Sequence, residues 1–192
     1  MTARLRALLD ELEAVLAEMT SPEAMAESLR AGATAEELDD AEARLGHPLS
    51  DEARTFYSWH NGVGGLGWGI PLAPRVQPLH RALRLTLGTR DVLNEIVDRQ
   101  YADREVDWSR AVHWADHGGG PSYWLAGNDE VSAVVMWDSG QQGLSMPSIT
   151  DLIELQVQSL ASGTWSQDQR GRWTNSAVDD IPYEQQLFGW LI

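Results

Sequence analysis

The chain has 192 residues, 14 of them basic and 29 acidic, for a formal net charge of −15. A field of that sign repels nucleic acid and anionic membranes and attracts basic partners. Cysteine is absent, which excludes disulfides and thiolate metal sites.

This length fits one domain, large enough to hide roughly 70% of its extended-chain surface on folding. Every basic residue is Arg, a bias that GC-rich codon usage accounts for. Nine Trp are present, a residue suited to cores, interface hot spots and sugar platforms alike. The first residues, Met1 to Glu11, meet acids before any continuous apolar run develops, so no signal peptide is expected. No apolar run approaches the ~20 residues of a membrane span. The expectation is a soluble, cytoplasmic protein.

Leu5, Leu8, Leu9, Leu12, Leu16 and Met19 recur at helical spacing and predict a helix over Arg4 to Met19. Ser21-Pro22-Glu23 starts a second, short helix, with Pro at its first position. It runs to about Arg30, and Gly32 is placed to close it. Thr34-x-x-Glu37 is a capping box opening a third helix, whose face is Leu38, Ala41 and Leu45. Gly46 ends that helix. Ser50 caps a fourth, with Asp51 and Glu52 opposing its dipole and Ala53, Phe56, Tyr57 and His60 on one stripe. Asn61-Gly62 is a stop, because both residues accept positive φ.

Gly62, Gly64 and Gly67 match G-x-G-x-x-G, but no strand precedes them, so a dinucleotide site is not expected. A turn and an edge strand through Leu66, Trp68 and Ile70 fit better. Pro71 to Pro78 is loop-like. Thr89 or Asp91 then opens a helix with Val92, Leu93, Ile96 and Val97 on its apolar side. Ala111 to Ala115, Tyr123 to Leu125 and Val131 to Trp137 read as consecutive antiparallel strands. Ser148-x-x-Asp151 caps a last helix that closes near Gly163. Trp165 and Trp173 flank a polar turn, which predicts a small hairpin. Tyr183 to Ile192 is apolar and is expected to pack back on the domain.

Three sets of residues invite a chemical reading. His113-x-x-Asp116-His117 has the atom types of a metal site, but a strand-to-turn segment does not align them on one face. His117-Gly118-Gly119-Gly120 is like the oxyanion segment of some esterases. That chemistry needs a G-x-S-x-G elbow, and Gly143-Leu144-Ser145-Met146-Pro147 fails at its last position. A carboxylate pair with Trp platforms would suit sugar chemistry, yet nothing singles out a pair among 29 acids. No catalytic residue, cofactor or metal ligand is assigned.

The order of capped helix, Leu45-Gly46-x-x-Leu49, second capped helix and Asn61-Gly62 resembles the SUKH superfamily. That superfamily contains Smi/Knr-type cell-wall regulators and many bacterial toxin-immunity proteins. Glu42 matches its Glu before Leu-Gly. Ser50 stands where the family usually has Pro, and Pro48 lies two places earlier. Asp116 with Gly118 to Gly120, the strand Tyr123-Trp124-Leu125, the strand Val134 to Trp137 with Asp138, and the helix Ser148 to Leu160 look like the family's later half.

The resemblance covers about Gly32 to Gly163. It implies an α+β fold, a central antiparallel sheet partly wrapped by helices. On that reading residues 1–31 are a helical extension packed on the domain, 32–163 the SUKH-like domain, and 164–192 a hairpin and tail packed on it. It also implies a non-enzymatic role. The protein is expected to bind a protein partner, a basic toxin domain encoded nearby, and not nucleic acid or membrane. An adaptor or regulator of the Smi/Knr type is the alternative, ahead of a carbohydrate-binding protein or hydrolase. The expected contact surface is the concave side of the sheet and the loop after Asn61, with Trp59, Asn61, Trp68, Asp116 and Trp124 as contacts. For each Trp, plain core packing is the competing reading.

Overall fold

Leucines at helical spacing set the first layer. In the computed structural model, which describes residues 2–63, 76–100, 108–116, 122–138, 141–167 and 173–175, they form α1 (Thr2–Met19). Leu5, Leu9 and Leu12 are fully buried, and Leu16 nearly so. Burying one Leu side chain contributes about 1.5–3 kcal/mol, so α1 is part of the core and not an appendage.

Helix α2 (Pro22–Ser28) is short. The left-handed stop expected at Gly32 is not there, since among the described residues the positive-φ glycines are Gly46, Gly62 and Gly163. Gly32 is required for a different reason. A Cβ on it would lie 2.1 Å from the Ser58 carbonyl oxygen, so two backbones touch at this point.

Helix α3 (Ala35–Leu45) carries both halves of the capping box on Thr34 and Glu37, and Gly46 closes it at φ 81°. Helix α4 (Asp51–Trp59) is capped by the Ser50 hydroxyl, which accepts from the Ala53 N–H.

Helix α5 spans Leu79–Gln100. It begins ten residues before the expected start at Thr89. The Thr89 hydroxyl instead donates back to the Leu85 carbonyl, as a residue inside a helix does. The cap of α5 is remote: Asn61 Oδ1 accepts the Leu79 N–H at 2.7 Å.

After a 3-10 turn (Trp108–Arg110) come β1 (Val112–Asp116), β2 (Ser122–Gly127), β3 (Ser132–Asp138) and β4 (Gln141–Met146). They form an antiparallel meander in the order β1-β2-β3-β4. Three of these strands were expected, and β4 is an addition. Helix α6 (Ile149–Ala161) follows, and β5 (Trp165–Gln167) pairs with β6 (Trp173–Asn175) as the expected hairpin. The architecture is α+β. The apolar tail expected at Tyr183 to Ile192 and the edge strand through Trp68 lie outside the described residues.

One face of the sheet meets the helices. Val112, Trp114, Tyr123, Leu125 and Val134 share a cluster with Leu5, Leu9, Phe56, Tyr57, Ile149 and Ile153. On the other face His113, Trp124 and Val135 are cross-strand neighbours. They are only 7%, 4% and 2% exposed. The strands therefore carry buried side chains on both faces, and this face is not the open concave platform expected of it. Apolar residues at successive positions, not alternate ones, are the mark of a sheet buried on both sides.

Candidate functional site

The end of α4 and the outer edge of β1 meet at one corner. Single bridges join Leu29 to Val63, Val63 to Val76, and Val76 to Ala115. The Val63 N–H donates to the Val76 carbonyl at 3.0 Å, and the Gln77 N–H to the Trp114 carbonyl at 2.7 Å. Gly62 turns the chain at φ 88°, and a Cβ on it would fall 2.6 Å from the Pro78 nitrogen. Only glycine fits this turn.

Asn61 and Asp116 flank the segment Val76 to Leu79. Asn61 accepts from the Leu79 N–H, and Asp116 Oδ2 accepts from the Gln77 side-chain amide at 2.6 Å. Both residues are partly exposed. The structure thus brings together two of the five residues nominated from sequence.

The indoles are placed differently. Trp59 is 5% exposed and packs edge-on to Phe56 with ring centres 5.8 Å apart. Its Nε1–H donates to Glu13 Oε2 at 3.0 Å, and the same oxygen lies 3.4 Å from His60 Nε2. Trp124 donates from Nε1 to the Ser122 hydroxyl at 3.0 Å and sets its ring against His113. Packing supports the core reading for both. Trp68 lies outside the described residues.

His113 is buried, and its Nδ1 has no hydrogen-bond partner among the described residues. Burial pushes its pKa down. The positive charge of Arg81 adds to that, and the Asp116 carboxylate opposes it. Among the described residues no group of three His, Asp or Glu side chains is close enough to hold a metal. His117 and Gly118 to Gly120 lie outside the described residues, and with them the esterase-like segment.

The outer layer of helices is acidic. Glu36, Glu37, Asp39 and Asp40 are exposed on α3, and Asp10, Glu11 and Glu18 on α1. Arg54 is held by Asp39 at 2.7 Å and Glu42 at 2.8 Å. These hydrogen bonds raise its already high pKa, Asp39 contributing most. Arg6 pairs with Asp10 at 3.0 Å. Such exposed pairs contribute about 0–1 kcal/mol each, so they shape the surface more than they stabilise the fold. A groove of about 460 Å³ runs between α1 and α4, lined by Thr2, Arg6, Asp51, Arg54, Thr55 and Ser58. No helix among the described residues is long and apolar enough to cross a membrane.

Sequence reasoning missed the role of Glu52. Its position in the first turn of α4 reads as an exposed dipole partner, yet it is fully buried. Its carboxylate accepts from the N–H groups of Ser132 at 2.9 Å, Ile149 at 3.2 Å and Thr150 at 3.2 Å, and from the Thr150 hydroxyl. Two of these are the first N–H groups of α6, which have no partner within that helix. Ser148 takes the third, from Asp151, at 2.9 Å. The apolar stripe of α4 does not reveal this, because Glu52 lies beside the stripe and the donors it meets belong to β3 and α6.

A family model described as the SMI1 / KNR4 family (SUKH-1) matches residues 32–155. No curated protein matches the chain. The matched region starts at Gly32, holds α3 to β4 and the first half of α6, and leaves out α1, although α1 is packed into the same core.

Proposed function

The chain belongs to the SMI1/KNR4 family (SUKH-1), and from that premise we propose that it is a non-enzymatic protein-binding module. Its role is immunity: it neutralises a cognate bacterial toxin by direct binding in the cytoplasm. The observation that carries this reading is the acidic outer surface of α1 and α3, with Glu36, Glu37, Asp39 and Asp40 exposed together on a chain of net charge −15. A toxin domain with a basic cleft would be steered onto such a surface, with fast association that salt suppresses. The rim of the contact is the corner holding Asn61 and Asp116, with Trp68 in the chain between Val63 and Val76.

The test is co-purification with the product of the adjacent gene, followed by association kinetics over a range of salt. Retention of that product, with an on-rate that falls steeply as salt rises, supports the proposal. Lysine at Glu36, Glu37, Asp39 and Asp40 should slow association and flatten the salt dependence. No retention removes the immunity reading. Retention with salt-independent kinetics removes the electrostatic part and leaves the binding. A regulator of the Smi/Knr type, binding a cellular protein, is the second reading. Family membership favours it equally, and a neighbouring gene with no toxin product would select it.

A further inference from the structure

Helix α5 presents a surface of opposite character to the acidic faces of α1 and α3. Its inner side is buried through Leu79, Ala82, Leu83 and Thr86. The outer side exposes His80, Arg81, Arg84, Leu87, Gly88 and Asp91. At 100° per residue these six fall within one stripe. Along the axis they cover about 16 Å at 1.5 Å rise per residue.

Three features of the stripe point outward. First, among the described residues the Arg81 and Arg84 side chains have no ion pair or hydrogen bond, a condition shared by the exposed Arg30, whereas Arg4, Arg6, Arg44, Arg54 and Arg110 are paired with acids. Arg90 donates to the Leu45 carbonyl. In a chain with twice as many acids as bases, two idle guanidiniums one turn apart stand out. Second, α5 has no acid in its first turn. His80 and Arg81 are set there against the positive end of the helix dipole, which favours anions. The misfit is relieved when an acidic group docks. Third, Leu87 is the one exposed large hydrophobic residue among those described. Beside it, a Cβ on Gly88 would meet nothing within 4 Å, which leaves a shallow notch.

We propose that this stripe of α5 is a docking surface for an acidic segment of a protein partner. Carboxylates of the segment pair with Arg81 and Arg84, and an apolar side chain rests on Leu87 and in the notch at Gly88. Asp91 closes the stripe and sets the direction, because an acid placed beyond Leu87 meets repulsion. Charge complementarity selects the occupant: a basic segment is rejected by the arginines, and an uncharged one leaves them unpaired. The surface is built on a different helix from the acidic one on α1 and α3 and does not depend on the toxin reading.

The experiment is a selection of random twelve-residue peptides displayed on phage. The baits are the intact protein and the variant Arg81→Glu/Arg84→Glu. Both positions are exposed, so the variant should keep its fold, and circular dichroism checks that it does. The expected result is enrichment of peptides with two or more acids near one aliphatic or aromatic residue. The variant should lose these peptides and select basic ones instead. The best peptide, synthesised with a fluorophore, should bind the protein at least tenfold more tightly than Gly88→Gln, which fills the notch.

Peptides without acidic bias, or acidic peptides bound equally by the charge-reversed variant, overturn the proposal. So does self-association that the same variant abolishes, which would make a second copy the occupant. Tighter binding of a labelled single-stranded oligonucleotide than of the selected peptide would assign the arginines to phosphate and overturn it as well.

Discussion

Glu52 and Thr150 are joined twice: the Glu52 carboxylate accepts both the Thr150 N–H at 3.2 Å and the Thr150 hydroxyl. One residue is in the first turn of α4 and the other in the first turn of α6, so a single carboxylate ties the start of one helix to the start of the other. It also holds the start of β3 through Ser132. Glu52→Ala strands these buried donors. Each unsatisfied group costs about 1–3 kcal/mol, so a loss of roughly 3–5 kcal/mol is expected after partial relaxation. Glu52→Gln keeps the shape but turns an NH₂ toward N–H donors, and should lose roughly 1–3 kcal/mol. Urea midpoints at constant slope measure both. A loss under about 0.5 kcal/mol for the alanine variant, the range of ordinary surface changes, would refute the clamp.

Tyr57 predicts the opposite sign. Its ring is fully buried against Phe56, and its hydroxyl has no hydrogen-bond partner among the described residues. Tyr57→Phe removes that polar atom and should raise stability by about 1 kcal/mol. Burial also raises the Tyr57 pKa. The folded state holds its proton more tightly than the unfolded chain, so stability is intact below about pH 10 and falls as pH rises above it. The phenylalanine variant should show a shallower alkaline fall. A destabilised variant would mean that the hydroxyl has a partner in solution.

His113 sets an acid-side dependence. Its pKa is lowered by burial first, with Arg81 acting in the same direction and Asp116 against it. Below the ordinary value of about 6.5 the unfolded chain takes up the proton before the folded one. Stability is therefore full above that pH. It declines as pH falls toward the lowered folded-state value, and the His113 contribution levels off below it. His113→Phe should remove this component while keeping an aromatic ring against Trp124. Thermal melts at pH 7.5 and 5.5 decide, and equal losses in the two proteins would count against the assignment.

Two glycines should respond in opposite directions to the same methyl group. At Gly88, inside α5, a Cβ meets nothing within 4 Å and φ is not positive. Gly88→Ala should stabilise the protein by roughly 0.4–1 kcal/mol, the helix-propensity difference. At Gly32 the Cβ would collide with backbone, 2.1 Å from the Ser58 carbonyl oxygen. Gly32→Ala should cost about 1–3 kcal/mol, because two chain segments must separate. Calorimetric melting temperatures should therefore move upward for one and downward for the other. Movement in the same direction would show that the close approach at Gly32 is relaxed in solution.

The helices whose signals are local were legible in the sequence. Thr34 with Glu37, Ser50 and Ser148 lie beside the N–H groups they cap, so a short window holds both partners. Helix α5 was misjudged because its cap, Asn61, stands 18 residues before the N–H it accepts. Strand β4 was missed because Gln141-Gln142-Gly143 has little strand propensity, and pairing with β3 supplies what the residues lack. At the candidate site, Asn61 and Asp116 could be nominated but their common neighbour, the segment 76–79, could not. Trp59 and Trp124 show the limit of composition, since the same side chain serves a core and an interface equally well. Glu52 shows the limit of pattern, since a first-turn acid looks alike whether it faces water or a second helix.

The links that join Leu29, Val63, Val76 and Ala115 are bridges of main chain to main chain. The Val63 N–H meets the Val76 carbonyl, and the Gln77 N–H meets the Trp114 carbonyl. Bonds of this kind are made by atoms that every residue but proline carries. The corner is thus a clasp of backbone, which ties the end of α4 to the edge of β1 in terms that a change of side chain does not rewrite.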